Sequence, residues 1–335
     1  MTAEGLDASR VADAGERALI ARITARLTKA AWIVVGPGDD AAVLEPERGT
    51  LEVLTTDALV EGVHFDRSFT PPEAIGHRAL AVNLSDLAAM GARPRAAVLS
   101  LVLPGTLAVA ELDRILDGLL DLARAHGVTL VGGNITRSPG PLMLDLTLLG
   151  SVGRRRILRR GTARVGDDVY VTGTVGAAAV GLAMLRVQAN ATGDPVDRYL
   201  RPEPRVRIGM LLGRTRAASS CLDLSDGLSA GLHHLADASG GGITIEADAL
   251  PLPPEVLAWH ADRGGDVIAT SLTGGDDYEL LFTVRPAHRG RLRAVRREGR
   301  GVPLTRIGVV TRDPRVLLHS ASGTRQLPPG FEHFR

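Results

Sequence analysis

Acidic residues fall along this chain in short clusters, each beside glycine, serine or threonine. They are Gly38-Asp39-Asp40, Thr55-Thr56-Asp57, Asn83-Leu84-Ser85-Asp86, Asp223-Leu224-Ser225-Asp226-Gly227 and Gly274-Gly275-Asp276-Asp277. Neighbouring carboxylates repel, so a chain that groups them repeatedly invites the question of what cation they hold. Mg²⁺ prefers hard oxygen ligands, one or two carboxylates at a time, with water and substrate phosphates filling the remaining positions. Carboxylates converging from several loops could hold several such ions. Any one cluster also reads as a plain turn, because Asp and Gly are common turn residues. Gly166-Asp167-Asp168 in VGDDVYV is the useful comparison: the same triplet precedes a strand, without other polar residues beside it, and is expected to be only a turn.

Phosphate would have to be held without lysine. Lys29 is the sole lysine, lying between Thr28 and Ala30. A Walker loop places lysine between glycine and Ser or Thr, and a protein kinase needs a strand lysine, so neither chemistry is available. Metal, arginine and backbone N–H groups remain, with Arg160 and the Gly132-Gly133 pair as candidates. The run Arg154–Arg156 reads equally as a solvated linker. Nucleophile readings are weak. Cys221 in SSCLDLS sits in an apolar strand pattern, and His233-His234 fall on a helix.

These clusters need a scaffold. Apolar periodicity predicts helices over Glu16–Leu27, Glu73–Met90, Leu107–His126, Val175–Leu185, Val206–Ala217 and Leu228–Ala238. Strands are expected at Leu51–Thr55, Ala96–Leu103, Val128–Val131, Leu142–Leu149, Val169–Thr172, Ile243–Glu246, Tyr278–Val284 and Ile307–Val310. Strands and helices mix without strict alternation. The fold class is therefore α/β shading into α+β, as two domains with mixed sheets: residues 1–150 and 151–335. A length of 335 residues supports two cores. A net charge of +1 and 3% aromatics argue against nucleic acid as a partner. No apolar stretch is long enough to span a bilayer, and the polar, acidic N-terminus lacks a signal-peptide core, so no membrane is expected. One cysteine excludes an internal disulfide and fits a cytoplasmic location.

The motifs GPGDDAAV, TTDALVEGVHF, ALAVNLSDLAAMGARP, VGGN, LRRGTARVGDDVYVTG, LDLSDGL, TGGDDYELLF and the terminal GFEHF together resemble the thiamine-monophosphate kinase family. That family lies in the superfamily that also holds aminoimidazole ribonucleotide synthetase and selenophosphate synthetase. The resemblance covers almost the whole chain. It implies two aminoimidazole ribonucleotide synthetase-like domains, the first binding Mg²⁺ and ATP and pairing its sheet with that of a second protomer in a homodimer. It also implies direct transfer of the γ-phosphate of ATP to thiamine monophosphate, with several Mg²⁺ ions and no covalent nucleophile. By position, Asp40, Thr55, Thr56, Asp57, Asp86, Asn134, Asp223 and Asp226 would ligate Mg²⁺. Gly133, Asn134, Arg160 and Ser225 would contact ATP, and His64, Asp276 and Phe331 would contact thiamine monophosphate. Two positions depart from the family pattern. Asn134 stands where the family usually has Asp, and Asp276 where it usually has Glu. The rival readings are a superfamily enzyme with another acceptor, a non-catalytic nucleotide- and Mg²⁺-binding protein, and a phosphohydrolase with an Asp nucleophile.

Overall fold

The computed structural model describes residues 9–330. They form two compact units, one from the residues up to Leu84 together with Pro94–Ser151, the other from Ser85–Arg93 and the chain from Val152 onward.

The first unit runs through α1 (Val11–Ala14), α2 (Glu16–Thr24), β1 (Ile33–Val35), β2 (Val43–Leu44), β3 (Leu51–Val60), α3 (Pro72–Ala89), β4 (Arg93–Pro104), α4 (Val109–His126), β5 (Thr129–Ser138) and β6 (Met143–Val152), with α3 from Ser85 onward belonging to the second unit. Four strands make one sheet in the order β3-β6-β4-β5. Strands β4 and β5 are parallel, which requires a crossover, and α4 supplies it. Leu112, Ile115, Leu116, Leu119 and Leu122 repeat along α4 and bury one face, and the helix ends at Gly127 in the left-handed conformation that caps many helices. Helices α3 and α4 touch backbone to backbone. A Cβ on Gly76 would lie 1.8 Å from the Ile115 carbonyl oxygen, and one on Gly118 would lie 1.9 Å from that of Glu73. Two glycines in otherwise helical sequence are thus the condition for this crossing.

Strand β5 differs from expectation. The reading from sequence ends a strand at Val131, just before Gly132-Gly133-Asn134. The strand instead continues to Ser138, paired with β4 from Ala96↔Thr129 to Pro104↔Ser138. Glycines are poor strand formers, but here the neighbouring strand supplies the order that local propensity lacks.

The second unit contains β7 (Asp168–Thr172), α5 (Ala177–Val187), α6 (Asp194–Leu200), α7 (Val206–Thr215), β8 (Ala218–Asp223), α8 (Leu228–Ser239), β9 (Gly242–Glu246), α9 (Pro254–Arg263), α10 (Val267–Thr273), β10 (Leu280–Val284), α11 (Leu292–Glu298), β11 (Leu304–Thr311), β12 (Val316–Ser320) and β13 (Gly323–Gln326). Its seven-stranded sheet has the order β13-β12-β9-β11-β7-β10-β8. Strands β9 and β12 pair in parallel, while β8, β10, β7, β11 and β9 pair antiparallel in turn. Val169, Val171, Leu222, Ile243, Ile245 and Leu281 from the strands pack with Leu228, Leu232 and Leu235 of α8. The mixed architecture agrees with the expected class. No helix among the described residues is long and apolar enough to cross a membrane.

Candidate active site

In the first unit the acidic loop before β2 faces the middle of β5. Asp39, Asp40, Gly133, Asn134, Asp145 and Thr147 line a cavity of about 710 Å³ whose other walls include Ile20, Val98 and Leu130. Asp40 is exposed, and its backbone N–H is held by the Asp39 carboxylate at 2.9 Å. Gly133 is a glycine for the fold's own reasons, since a Cβ there would sit 2.1 Å from the Leu99 carbonyl oxygen of β4. That packing brings the exposed Asn134 to the cavity wall.

Strand geometry separates the three residues Thr55, Thr56 and Asp57. Successive strand side chains point to opposite faces, so Thr56 is turned away from the other two. Its hydroxyl donates to Asp145 Oδ1 and to the Leu146 carbonyl, both at 3.1 Å, and accepts from the Thr147 hydroxyl. The TTD triplet therefore cannot direct three side chains at one ion. Asp145 is a residue that reading the sequence missed. The signal was a lone acid in MLDLTLLG, an otherwise apolar run, two positions before Thr147. His64 has its ring fixed in this unit, with Nδ1 accepting the Val60 N–H at 3.0 Å.

In the second unit Ser85 and Asp86 stand at the C-terminal half of α3, and Asp223 ends β8. Ser85 Oγ donates to Asp223 Oδ2 at 2.6 Å. Burial, and next the charge of Asp86, raise the Asp223 carboxyl above the ordinary range, while Ser85 and Arg160 oppose the rise. Two carboxylates crowded in this way leave a negative charge that a divalent cation would relieve. The donor set also suits Mg²⁺ in kind, since the ion takes one or two carboxylates and fills its other positions with water and phosphate oxygens. Among the described residues no three His, Cys, Asp or Glu side chains form a closed metal cage.

Two loops of this unit are laced together through their backbones. Asp276 N–H donates to the Ser225 carbonyl at 2.8 Å, Tyr278 N–H to Leu224, and Leu224 N–H to Glu279. Ser225 Oγ reaches Asp226 at 3.3 Å, and the Tyr278 hydroxyl reaches Asp276 at the same distance. Asp276 has φ 70°, a left-handed conformation that short Asp tolerates better than most residues. Arg160 opens a short 3₁₀ turn whose carbonyl accepts the Ser220 hydroxyl, so its backbone is anchored to β8. Asp277 is not beside its neighbour's partners. It accepts N–H groups from Gly176 and Ala178 at the start of α5, and burial pushes its carboxyl up to about 7 despite them.

The residues match the AIR synthase related protein N-terminal domain family over 38–152 and its C-terminal domain family over 164–319. The thiamine-monophosphate kinase of Salmonella typhimurium is 42% identical over 308 residues, covering 89% of this chain and 91% of the relative. The chain belongs to the thiamine-monophosphate kinase family. A crystal structure of a family member from Stenotrophomonas maltophilia superposes with a TM-score of 0.80 at 40% identity, over 90% of this chain and 95% of that one. A structure described as AaThiL complexed with AMPPCP and TMP superposes with a TM-score of 0.76 at 34% identity, over 97% of this chain and 99% of that one.

In this member of the thiamine-monophosphate kinase family, Phe331 lies outside the described residues. The comparison triplet at Gly166 is more than a turn. Asp167 is 3% exposed and accepts the Ser219 hydroxyl and Arg164 N–H, while Asp168 is 1% exposed and pairs with Arg289 and Arg306. The partners of Asp168 come from more than 100 residues away, which no local pattern announces. Gly227–Gly231 spells the GxSxG pattern of serine hydrolases, yet Ser229 is wholly buried in α8 and donates to the Pro328 carbonyl. Cys221 is buried as expected, and burial raises its thiol well above the usual range, so it is no nucleophile.

Proposed function

We propose that this chain transfers the γ-phosphoryl group of ATP to the phosphate of thiamine monophosphate, forming thiamine diphosphate and ADP. The observation that carries the reading is the likeness, at 34% identity over 97% of the chain, to a structure complexed with AMPPCP and TMP. The chemistry of the residues agrees. Phosphoryl transfer needs positioning and charge neutralisation more than a covalent partner. Asp40, Thr55, Thr56, Asp57 and Asn134 in the first unit, and Asp86, Asp223 and Asp226 in the second, are assigned to Mg²⁺. When bound, the ions would screen the two phosphate groups from one another and polarise the transferred one. Gly133, Asn134, Arg160 and Ser225 are assigned to ATP; Arg160 supplies a permanent positive charge where no lysine exists. His64, Asp276 and Phe331 are assigned to thiamine monophosphate.

A homodimer belongs to the same proposal. Leu54 and Val63 of the first unit are 69% and 63% exposed, apolar side chains that a second protomer's sheet would cover. The absence of disulfides fits a cytoplasmic enzyme.

The test is incubation with ATP, excess Mg²⁺ and thiamine monophosphate, followed by mass analysis. Thiamine diphosphate and ADP should form in equal amounts. Free thiamine should be a poor acceptor, because it lacks the phosphate that the arginine and carboxylate-bound metal position. Absence of thiamine diphosphate, or comparable kcat/KM for thiamine, would refute the assignment and point to another acceptor.

A further inference from the structure

A second concave site lies in the second unit, at the opposite end of β8 from Asp223. Ala218 and Ser219, which start this strand, line a cavity of about 390 Å³. The strand spans six residues, so the cavity is roughly 17 Å from Asp223 at about 3.3 Å per residue. Its wall is cationic: Arg155, Arg156, Arg216, Arg285 and Arg291, with His288 between the last two.

The pairing of these arginines is the informative feature. Elsewhere in this unit guanidiniums meet carboxylates: Arg205 pairs with Glu279, Arg214 with Glu298, Arg289 and Arg306 with Asp168, and Arg315 with Asp313. Among the described residues, none of the five around the cavity has a carboxylate partner. Arg291 Nη1 donates only to the Arg216 carbonyl at 2.7 Å. Arg285 Nε is buried without any hydrogen-bond partner, and its residue is half-buried at the cavity wall. Asp167, the acid whose charge acts on His288, has its Oδ2 engaged by Ser219 and Arg164. Five like charges around one hollow, one of them with an orphaned buried donor, form an incomplete electrostatic arrangement.

We propose that this cavity binds a small molecule through a diphosphate group. Guanidinium forks match phosphate oxygens in bidentate geometry, and five exceed what a single carboxylate can accept. The small volume and a net charge of +1 disfavour an extended nucleic-acid track. The Arg154–Arg156 run, which by sequence alone reads equally as a solvated linker, thus contributes two of its three arginines to a built concavity. The site is independent of the kinase reading, although that reaction would produce two diphosphate esters.

The experiment titrates inorganic diphosphate into the full chain in EDTA, which removes metal-dependent binding at the carboxylates. Calorimetry should show saturable binding that weakens with added salt. Arg285→Gln combined with Arg216→Gln should weaken it at least about tenfold, roughly the loss of one charge-assisted hydrogen bond. Arg155→Gln with Arg291→Gln, both at exposed positions, gives the same reading should the first pair disturb folding. Asp223→Asn and Arg160→Gln should leave binding unchanged. A second readout is His288, whose imidazole pKa is depressed by burial and by the Arg291 and Arg285 charges. Its NMR titration should move upward with diphosphate bound, and His288→Gln assigns the signal. ADP binding more tightly than diphosphate would identify an ester as the natural occupant; equal affinity would identify the bare group. No saturable binding, or binding lost in Arg160→Gln but kept in both cavity variants, would overturn the proposal.

Discussion

Glu279→Ala should destabilise the second unit by about 3–5 kcal/mol. Glu279 is 1% exposed, and Arg205 is 5% exposed. Two guanidinium nitrogens of Arg205 donate to the Glu279 carboxylate at 2.6 and 2.5 Å, and Thr172 Oγ1 donates to it at 2.5 Å. Burial opposes the Arg205 charge, but the Glu279 hydrogen bonds and charge hold the guanidinium protonated beyond its ordinary range. Removing Glu279 strands that cation. Glu203 still reaches Arg205 at 2.8 Å, but it is 72% exposed and offers only a solvent-screened contact. For a unit of this size 1 kcal/mol is about 2–4 °C in Tm, so the melting temperature should fall by roughly 6–20 °C. Differential scanning calorimetry at neutral pH measures it. Replacing both partners, Glu279→Met with Arg205→Met, should recover most of the loss, because neither charge then remains buried. Glu279 also belongs to the segment laced to the Asp223–Asp226 loop, its carbonyl accepting the Leu224 N–H, so turnover should drop in the single variant and recover in the double. A Tm fall under about 3 °C for Glu279→Ala, or a double variant no better than the single, would refute the reasoning.

Asp277 has a folded pKa near 7, raised above its unfolded value of 3.8, so the folded chain binds this proton more tightly. Its stabilising effect is complete below about pH 4 and is lost as pH rises to about 7, a cost of about 2–4 kcal/mol that urea melts should find missing in Asp277→Asn. Gly133→Ala should destabilise the first unit by at least about 2 kcal/mol, because its methyl meets the Leu99 backbone and not a movable side chain; an unchanged Tm would contradict that packing. Asn134→Asp should lower the Mg²⁺ concentration for half-maximal rate by about tenfold, since a carboxylate adds a charge that an amide lacks. Superimposed Mg²⁺ curves at saturating ATP would mean that Asn134 only lines the cavity. Asp167→Ala should leave the Arg164 N–H without its acceptor and the Ser219 hydroxyl with Thr283 alone, and cost about 1–2 kcal/mol in chemical denaturation, with Mg²⁺ dependence unchanged.

Chemistry that depends on residue type and close spacing is legible in the amino-acid sequence by itself. The absence of a usable lysine, the grouping of carboxylates with hydroxyls, and the apolar period of α4 with its Gly127 cap are all local properties, visible within a few turns of chain. Family resemblance adds the proposed roles of His64, Arg160 and Asp276. Tertiary structure decided what depends on partners distant in sequence. Gly132-Gly133-Asn134 became strand because β4 lies alongside it, and the pleat turned Thr56 towards Asp145 and away from the faces of Thr55 and Asp57. Asp168 in the comparison triplet drew its arginines from 121 and 138 residues away. Arg155, Arg216 and Arg285 are three scattered arginines in the sequence, and they share one hollow only because β8, β10 and the end of α7 converge there. Periodicity reports which face a side chain takes, and it carries no information about which charge will stand opposite once the chain has closed.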